Sequence, residues 1–185
     1  GSRGTLGLIV DVTLKIMPLP RARRTLTIAC DDPGHLGGLA RGLDYAAKVL
    51  PLALVASAIV LVKNENGFLF AYTAEGLAED VEAELEEVQR ALQSAGATMN
   101  EVEMPTGTDL WSGLLRNATE SELVVRVAVA PKDLADFARS NEALFAAGKF
   151  LVDVANGFIY AVMRLDLVAR SREWVELLRR AAQNR

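Results

Sequence analysis

The sequence has a single cysteine and a single histidine among 185 residues. One thiol, Cys30, excludes an internal disulfide. One imidazole, His35, excludes a multi-histidine metal centre built within the chain. Positive charge is not in excess either: 20 Lys and Arg stand against 24 Asp and Glu, with the signs interleaved. A nucleic-acid partner calls for a basic stripe that neutralises phosphates, so none is expected. The longest apolar run, Leu50 to Val62, falls short of the ~20 residues a membrane-spanning helix requires. No secretory signal is visible, and a cytoplasmic location is expected.

What is present is an ordinary globular composition, 51% hydrophobic and 24% charged. A chain of this length buries roughly 70% of its unfolded surface, so the core needs no staple. β-Branched residues from Leu6 to Met17 predict a strand that Pro18 and Pro20 stop. Arg24 to Cys30 predicts a second, with Leu26 and Ile28 on one face and Thr25 and Thr27 on the other. A helix is expected to start with Asp32 as its cap and Pro33 at its first position, and to run to Leu50. Its apolar stripe reads Leu36, Leu39, Ala40, Leu43, Ala46, Ala47 and Leu50. Strands at Leu54 to Lys63 and Phe68 to Thr73 flank Asn66-Gly67, a hairpin signal. Leu77 to Ser94 predicts a helix seated on Leu77, Val81, Leu85, Val88 and Leu92 and ended by Gly96. Its acids, Glu79, Asp80, Glu82, Glu84, Glu86 and Glu87, read as a solvated face, with docking of a basic partner subunit as the alternative. A short strand near Met99 to Met104 closes this half.

The second half repeats the order. A strand (Glu122 to Ala130), a helix (Pro131 to Gly148), a strand beginning at Lys149, the turn Asn156-Gly157, a strand beginning at Phe158 and a helix (Leu167 to Ala182) follow the linker "PTGTDLWSGLLRNATES". The fold class expected is therefore α+β: two ferredoxin-like split β-α-β units forming an antiparallel sheet with helices on one face. The other face is then free to meet a partner or ligand. Trp111 is expected to anchor a linker helix.

The opening segment, "GSRGTLGLIVDVTLKIMPLP", carries a dense pattern in Gly1, Ser2, Gly4, Thr5, Leu6, Gly7, Ile9, Thr13, Leu14, Lys15 and Pro18. It resembles the end of the flavin-binding domain in FAD-linked oxidases of the vanillyl-alcohol oxidase type. The remainder is similar to the FAD-binding subunit of glycolate oxidase. The resemblance implies that residues 1–20 end an FAD-binding domain and that residues 21–185 form a ferredoxin-like cap, or substrate, domain of a longer enzyme, truncated at its C-terminus. It implies FAD as cofactor, with Gly1, Ser2, Gly4, Thr5, Leu6, Gly7 and Ile9 as contacts. Bare glycines let main chain approach a dinucleotide where a Cβ would collide, and their N–H groups can face anionic oxygens. The partners implied are the preceding FAD-binding domain, other subunits of an oxidase complex, and a second copy meeting the open sheet face. The His-rich metal motif of related 2-hydroxy-acid dehydrogenases is absent, so no metal is expected.

An acid substrate calls for a guanidinium, which can hold a carboxylate through two parallel bonds. Alternation puts Val124, Arg126 and Ala128 on the open face, and Phe158, Tyr160, Val162 and Arg164 on one side of the hairpin partner. Arg126, Tyr160 and Arg164 are therefore the substrate-binding candidates, against the plainer reading that they cover surface with their stems. His35 reads as a surface residue at a helix start, and Cys30 as a small core residue. The expected activity is oxidation of a small hydroxy acid such as glycolate. The fragment alone is expected to bind FAD poorly and to be inactive. The alternative is a non-catalytic tandem ferredoxin-like module for ligand sensing or assembly.

Overall fold

Period-two alternation and helical stripes decide the layers. In a computed structural model, which describes residues 19–30, 37–64, 67–102, 104–116, 122–145, 148–164 and 168–183, the first strand, β1, spans Ala22–Ala29. Leu26 and Ile28 enter the core on one face, and Thr25 is buried on the other. Helix α1 (Gly38–Val49) follows. Strands β2 (Ala56–Asn64) and β3 (Gly67–Gly76) then pair as an antiparallel hairpin in which Asn64 faces Gly67. Helix α2 (Ala78–Ser94) and the three-residue edge strand β4 (Asn100–Val102) complete the first unit. Gly96, at φ 76°, takes a left-handed conformation where α2 stops, as the sequence suggests.

Helix α3 (Gly107–Arg116) lies in the linker. The second unit runs through β5 (Glu122–Ala128), α4 (Leu134–Ser140), α5 (Glu142–Phe145), β6 (Lys149–Asp153), β7 (Phe158–Arg164) and α6 (Val168–Gln183). The seven described strands form one sheet in the order β4-β1-β3-β2-β6-β7-β5, with every pairing antiparallel. Within it the order β4-β1-β3-β2 is matched by β6-β7-β5. The two units meet through β2 and β6, with Leu61 opposite Val152. The α+β class and the duplicated split β-α-β order expected from the sequence are those of the protein.

The main core fills the face that carries α1, α2, α4, α5 and α6. Leu39, Leu43, Val81, Val88, Phe137, Phe145, Trp174 and Leu178 pack there against Leu61, Phe70, Phe150 and Ile159. Arg139 on α4 reaches Asp44 on α1 at 2.7 Å, linking the helices of the two units.

Several expectations are corrected. Helix α1 begins at Gly38 with Gly37 as its cap residue, five positions later than Pro33. Its buried stripe takes in Gly42, Tyr45 and Val49, while Ala47 and Leu50 are exposed. Packing against Leu61 and Phe70, rather than apolarity alone, sets that register. The long helix expected from Pro131 to Gly148 is broken into a 3-10 turn at Pro131–Asp133, then α4, then α5. Glu84 is not part of a solvated face: it is 6% exposed. It lies between the Val81 and Val88 positions of the buried stripe, and three hydrogen bonds explain why it is tolerated there. Leu54 N donates to its Oε2 at 2.6 Å, Val55 N to the same oxygen at 2.8 Å, and Tyr72 Oη to Oε1 at 2.7 Å. Asp32, Pro33, His35, Leu36 and the strand expected at Leu6 to Met17 lie outside the described residues.

Candidate functional site

The second face of the sheet is covered in part only. Helix α3 crosses it over β2, β3 and β6, and it can do so closely because Gly107 has no side chain. A Cβ at Gly107 would lie 2.5 Å from the Ala58 Cβ and 3.3 Å from Val60 Cγ2. The Gly107 N–H donates to Thr73 Oγ1 at 2.8 Å, and Thr73 shares a 2.9 Å hydroxyl contact with Thr25. These threonines, polar residues in strands, are thus satisfied where they are buried.

The helix start is fixed by a reciprocal box. Thr106 N and Oγ1 both donate to Asp109 Oδ2, at 2.9 and 2.6 Å, and Asp109 N donates back to Thr106 Oγ1 at 3.1 Å. These bonds from Thr106, with smaller help from the charges of Arg23 and Arg116, hold the Asp109 carboxyl below its ordinary pKa. So pinned, α3 presents Leu110, Trp111 and Leu114 to a small second core of Val60, Val62, Ala71 and Leu151. Trp111 anchors the helix, as its position in the linker suggests. Its ring meets Tyr160 edge-on, with centroids 5.6 Å apart and planes at 87°.

Between α3 and the β6–β7 turn lies a cleft of about 250 Å³. Ala58, Val60, Trp111, Phe158 and Tyr160 form its apolar wall, and Ser57, Thr108, Asp153 and Asn156 its polar rim. Asp153 accepts bonds from Asn156 Nδ2 at 3.0 and 3.1 Å and from Asn156 N at 3.3 Å, which orders the turn. Beyond the cleft the face is open: Val124 on β5 is 38% exposed.

Arg126 and Tyr160 are directly opposite in the β5–β7 pairing, so the structure brings these two together. The guanidinium of Arg126 leans along the strand over the ring of Phe158, 5.1 Å from its centroid. Such stacking orients the cation while leaving its edge to a carboxylate. Arg164 pairs with Glu122, four positions further along and therefore about 14 Å from Tyr160 at ~3.4 Å per residue. It shares the face but not the locality. Gly1, Ser2, Gly4, Thr5, Leu6, Gly7 and Ile9 lie outside the described residues.

Sequence reasoning did not pick out Asp153, Asn156, Ser57 or Thr108. A signal existed for the first two: Asn156 is half of the predicted turn, and Asp153 lies three residues before it, on the same edge of the hairpin as Phe158. Ser57 and Thr108 become neighbours only because α3 folds back over β2. Cys30 is buried, as expected. Among the described residues there is no cluster of side chains suited to hold a metal ion, and no helix is long and apolar enough to cross a membrane.

No family model matches the sequence, and no curated protein matches it. Among solved structures 31 chains match. One of them is alkyldihydroxyacetonephosphate synthase, with a TM-score of 0.59 and 14% sequence identity. The match covers 98% of this chain and 42% of that one. At this identity the likeness is one of fold, and the chain spans less than half of the synthase's length.

Proposed function

We propose that the chain is the substrate-side domain of an FAD-dependent oxidoreductase acting on a small hydroxy acid such as glycolate. The observation that carries the reading is a fold shared over 98% of the chain with alkyldihydroxyacetonephosphate synthase, a protein of the FAD-linked oxidase fold. The opening motif supports it independently. In this reading Gly1, Ser2, Gly4, Thr5, Leu6, Gly7 and Ile9 would border FAD, which supplies a hydride acceptor when bound. An FAD-binding domain preceding this chain would provide the rest of the cradle.

The open face does what a substrate side requires. Arg126 binds the carboxylate, its plane steered by Phe158. Tyr160, opposite Arg126, offers a hydroxyl to the same ligand. Arg164, opposite Glu122 and four residues further along the face, would meet a more extended part of the ligand rather than the same group. Trp111 and its helix wall the inner side of the site.

The test uses the complete protein that contains this chain. It should purify with one flavin per chain, and glycolate added without oxygen should bleach the flavin's visible absorption. Arg126→Ala should raise KM for the acid about tenfold or more while changing kcat less, because Arg126 binds the part of the acid that does not react. A complete protein that binds no flavin would refute the reading and leave a non-catalytic binding module in its place.

A further inference from the structure

We infer that the cleft beside α3 is a side-chain pocket for a 2-hydroxy acid bearing a flat apolar group about the size of a benzene ring. It rests on the open face being the substrate side, and it changes the expected substrate from glycolate to a larger acid.

Size is the first ground. The cleft's roughly 250 Å³ equals about eight waters at ~30 Å³ each. Glycolate has no side chain with which to fill such a space. A phenyl group and its methylene displace most of that water and bury apolar surface against Trp111, Val60 and Ala58.

Shape and order across the strands are the second ground. Trp111 and Tyr160 stand perpendicular, and Phe158 and Tyr160 meet at 62°. A ligand ring can continue this edge-to-face arrangement, which contributes beyond the area it buries. Reading across the sheet, Arg126 lies on β5, Phe158 and Tyr160 on β7, and Asp153 on β6. The Arg126 guanidinium reaches the Phe158 ring on β7, and from β7 a ring packed against Trp111 and the β2 wall lies one to two inter-strand steps away, about 5–10 Å. That span suits an acid with one methylene between its hydroxyl carbon and a ring.

Rigidity and charge are the third. Thr106 with Asp109, and Gly107 against Thr73 and Ala58, fix α3 before any ligand arrives. The wall carrying Trp111 therefore need not be ordered on binding. Asp153 at the rim repels a second carboxylate, so a hydroxy dicarboxylic acid is disfavoured.

The full chain can be titrated with 3-phenyllactate, glycolate and malate by calorimetry, alongside indole emission. Of the two tryptophans, Trp174 is bonded to Leu144 O on the helical face and serves as a constant background. Phenyllactate should bind at least about tenfold more tightly than glycolate and shift the emission of Trp111, with malate the weakest. Trp111→Leu should bring phenyllactate and glycolate close to equal. Thr108→Phe, at an exposed rim position, should fill the cleft and remove phenyllactate binding without touching the core. Equal or weaker binding of phenyllactate, or a preference that survives both substitutions, overturns the inference. Flavin content of the complete protein is measured separately. A flavoprotein that glycolate reduces without any advantage for phenyllactate defeats this pocket alone, whereas a flavin-free protein defeats the oxidoreductase reading.

Discussion

Replacing Glu84 by alanine removes the acceptor for three donors at once, and its cost can be worked from their surroundings. The carboxylate is 6% exposed, and Tyr72, whose hydroxyl it receives, is 0% exposed. A hydrogen bond to a charged acceptor contributes roughly 1.5–3 kcal/mol net, and a donor left buried without a partner costs about 1–3 kcal/mol. Water can reach Leu54 N once the side chain is gone, since Leu54 itself is exposed, so the full sum does not apply there. Tyr72 Oη has no such recourse. The expected loss for Glu84→Ala is about 3–5 kcal/mol, a large part of the ~5–15 kcal/mol that a domain possesses. Glu84→Gln keeps one acceptor oxygen but turns an amide donor towards another donor, and should lose about 2 kcal/mol. Urea unfolding followed by circular dichroism gives these values directly, with the slope m unchanged if the unfolded state is unaltered. Tyr72→Phe and the double variant close a cycle, in which a coupling of roughly 1–3 kcal/mol is expected. A loss below about 1 kcal/mol for Glu84→Ala, at unchanged m, would refute the account of Glu84 as the clasp between α2, β3 and the start of β2.

Burial, then the bond to Glu84 and its charge, raise the Tyr72 phenol far above its ordinary pKa. A raised folded value means that the stability it contributes is intact below the unfolded pKa of ~10 and is lost as pH rises beyond it. Phenolate absorbance from Tyr72 should therefore appear together with alkaline unfolding, and Tyr72→Phe should remove that step. Asp109 has the opposite sign: its depressed folded pKa gives stability that is present above the unfolded value of ~3.9 and lost as pH falls through the folded one. Acid unfolding should thus begin at lower slope in Asp109→Asn, read from unfolding midpoints across pH 2–5. Thr106→Val should cost about 1 kcal/mol through loss of the helix cap, measured by urea unfolding. Gly107→Ala should cost roughly 1–3 kcal/mol, because a methyl 2.5 Å from the Ala58 Cβ forces α3 off the sheet. It should also weaken the phenyllactate preference, since Trp111 moves with the helix.

The strands were legible because burial on two different faces writes itself as alternation. Leu26 and Ile28 could be separated from Thr25 and Thr27 without coordinates, and Val124, Arg126 and Ala128 assigned to the open face. Helix ends were harder. Asp32 and Pro33 form a good local start signal, but α1 begins at Gly38, and tertiary contact of Gly42 with Leu61 and of Tyr45 with Phe70 sets its register. Glu84 was misread for a related reason. Its charge groups it with Glu82 and Glu86, while its position, three after Val81 and four before Val88, puts it on the stripe. Periodicity was the better guide there, and charge misled because the donors that satisfy it come from 12 to 30 residues away in sequence. The cleft was illegible for the same reason. Nothing in "TGTDLWSGLLR" alone says which sheet face it will cross, and the decision rests on Gly107 fitting over Ala58.

The two units share an order of elements, yet their second faces are unlike. In the first, Thr25 and Thr73 are buried beneath the start of α3, and their hydroxyls are used in holding that helix. In the second, the equivalent region of β5 and β7 carries Arg126, Phe158 and Tyr160 with exposed Val124 beside them. One half of the sheet has therefore become the support for a helix, and that helix in turn walls the cleft at the border of the other half. In the proposed reading, ligand recognition on this face follows from the asymmetry rather than from the repeat. A symmetrical pair of units would either bury both second faces, leaving no cleft, or expose both, leaving Trp111 with nothing to pin it. The covered half supplies rigidity and the open half supplies charge and rings, so the proposal expects substitutions at Thr25 or Thr73 to weaken binding of an acid only through the position of α3, and Arg126→Ala to weaken it with α3 in place.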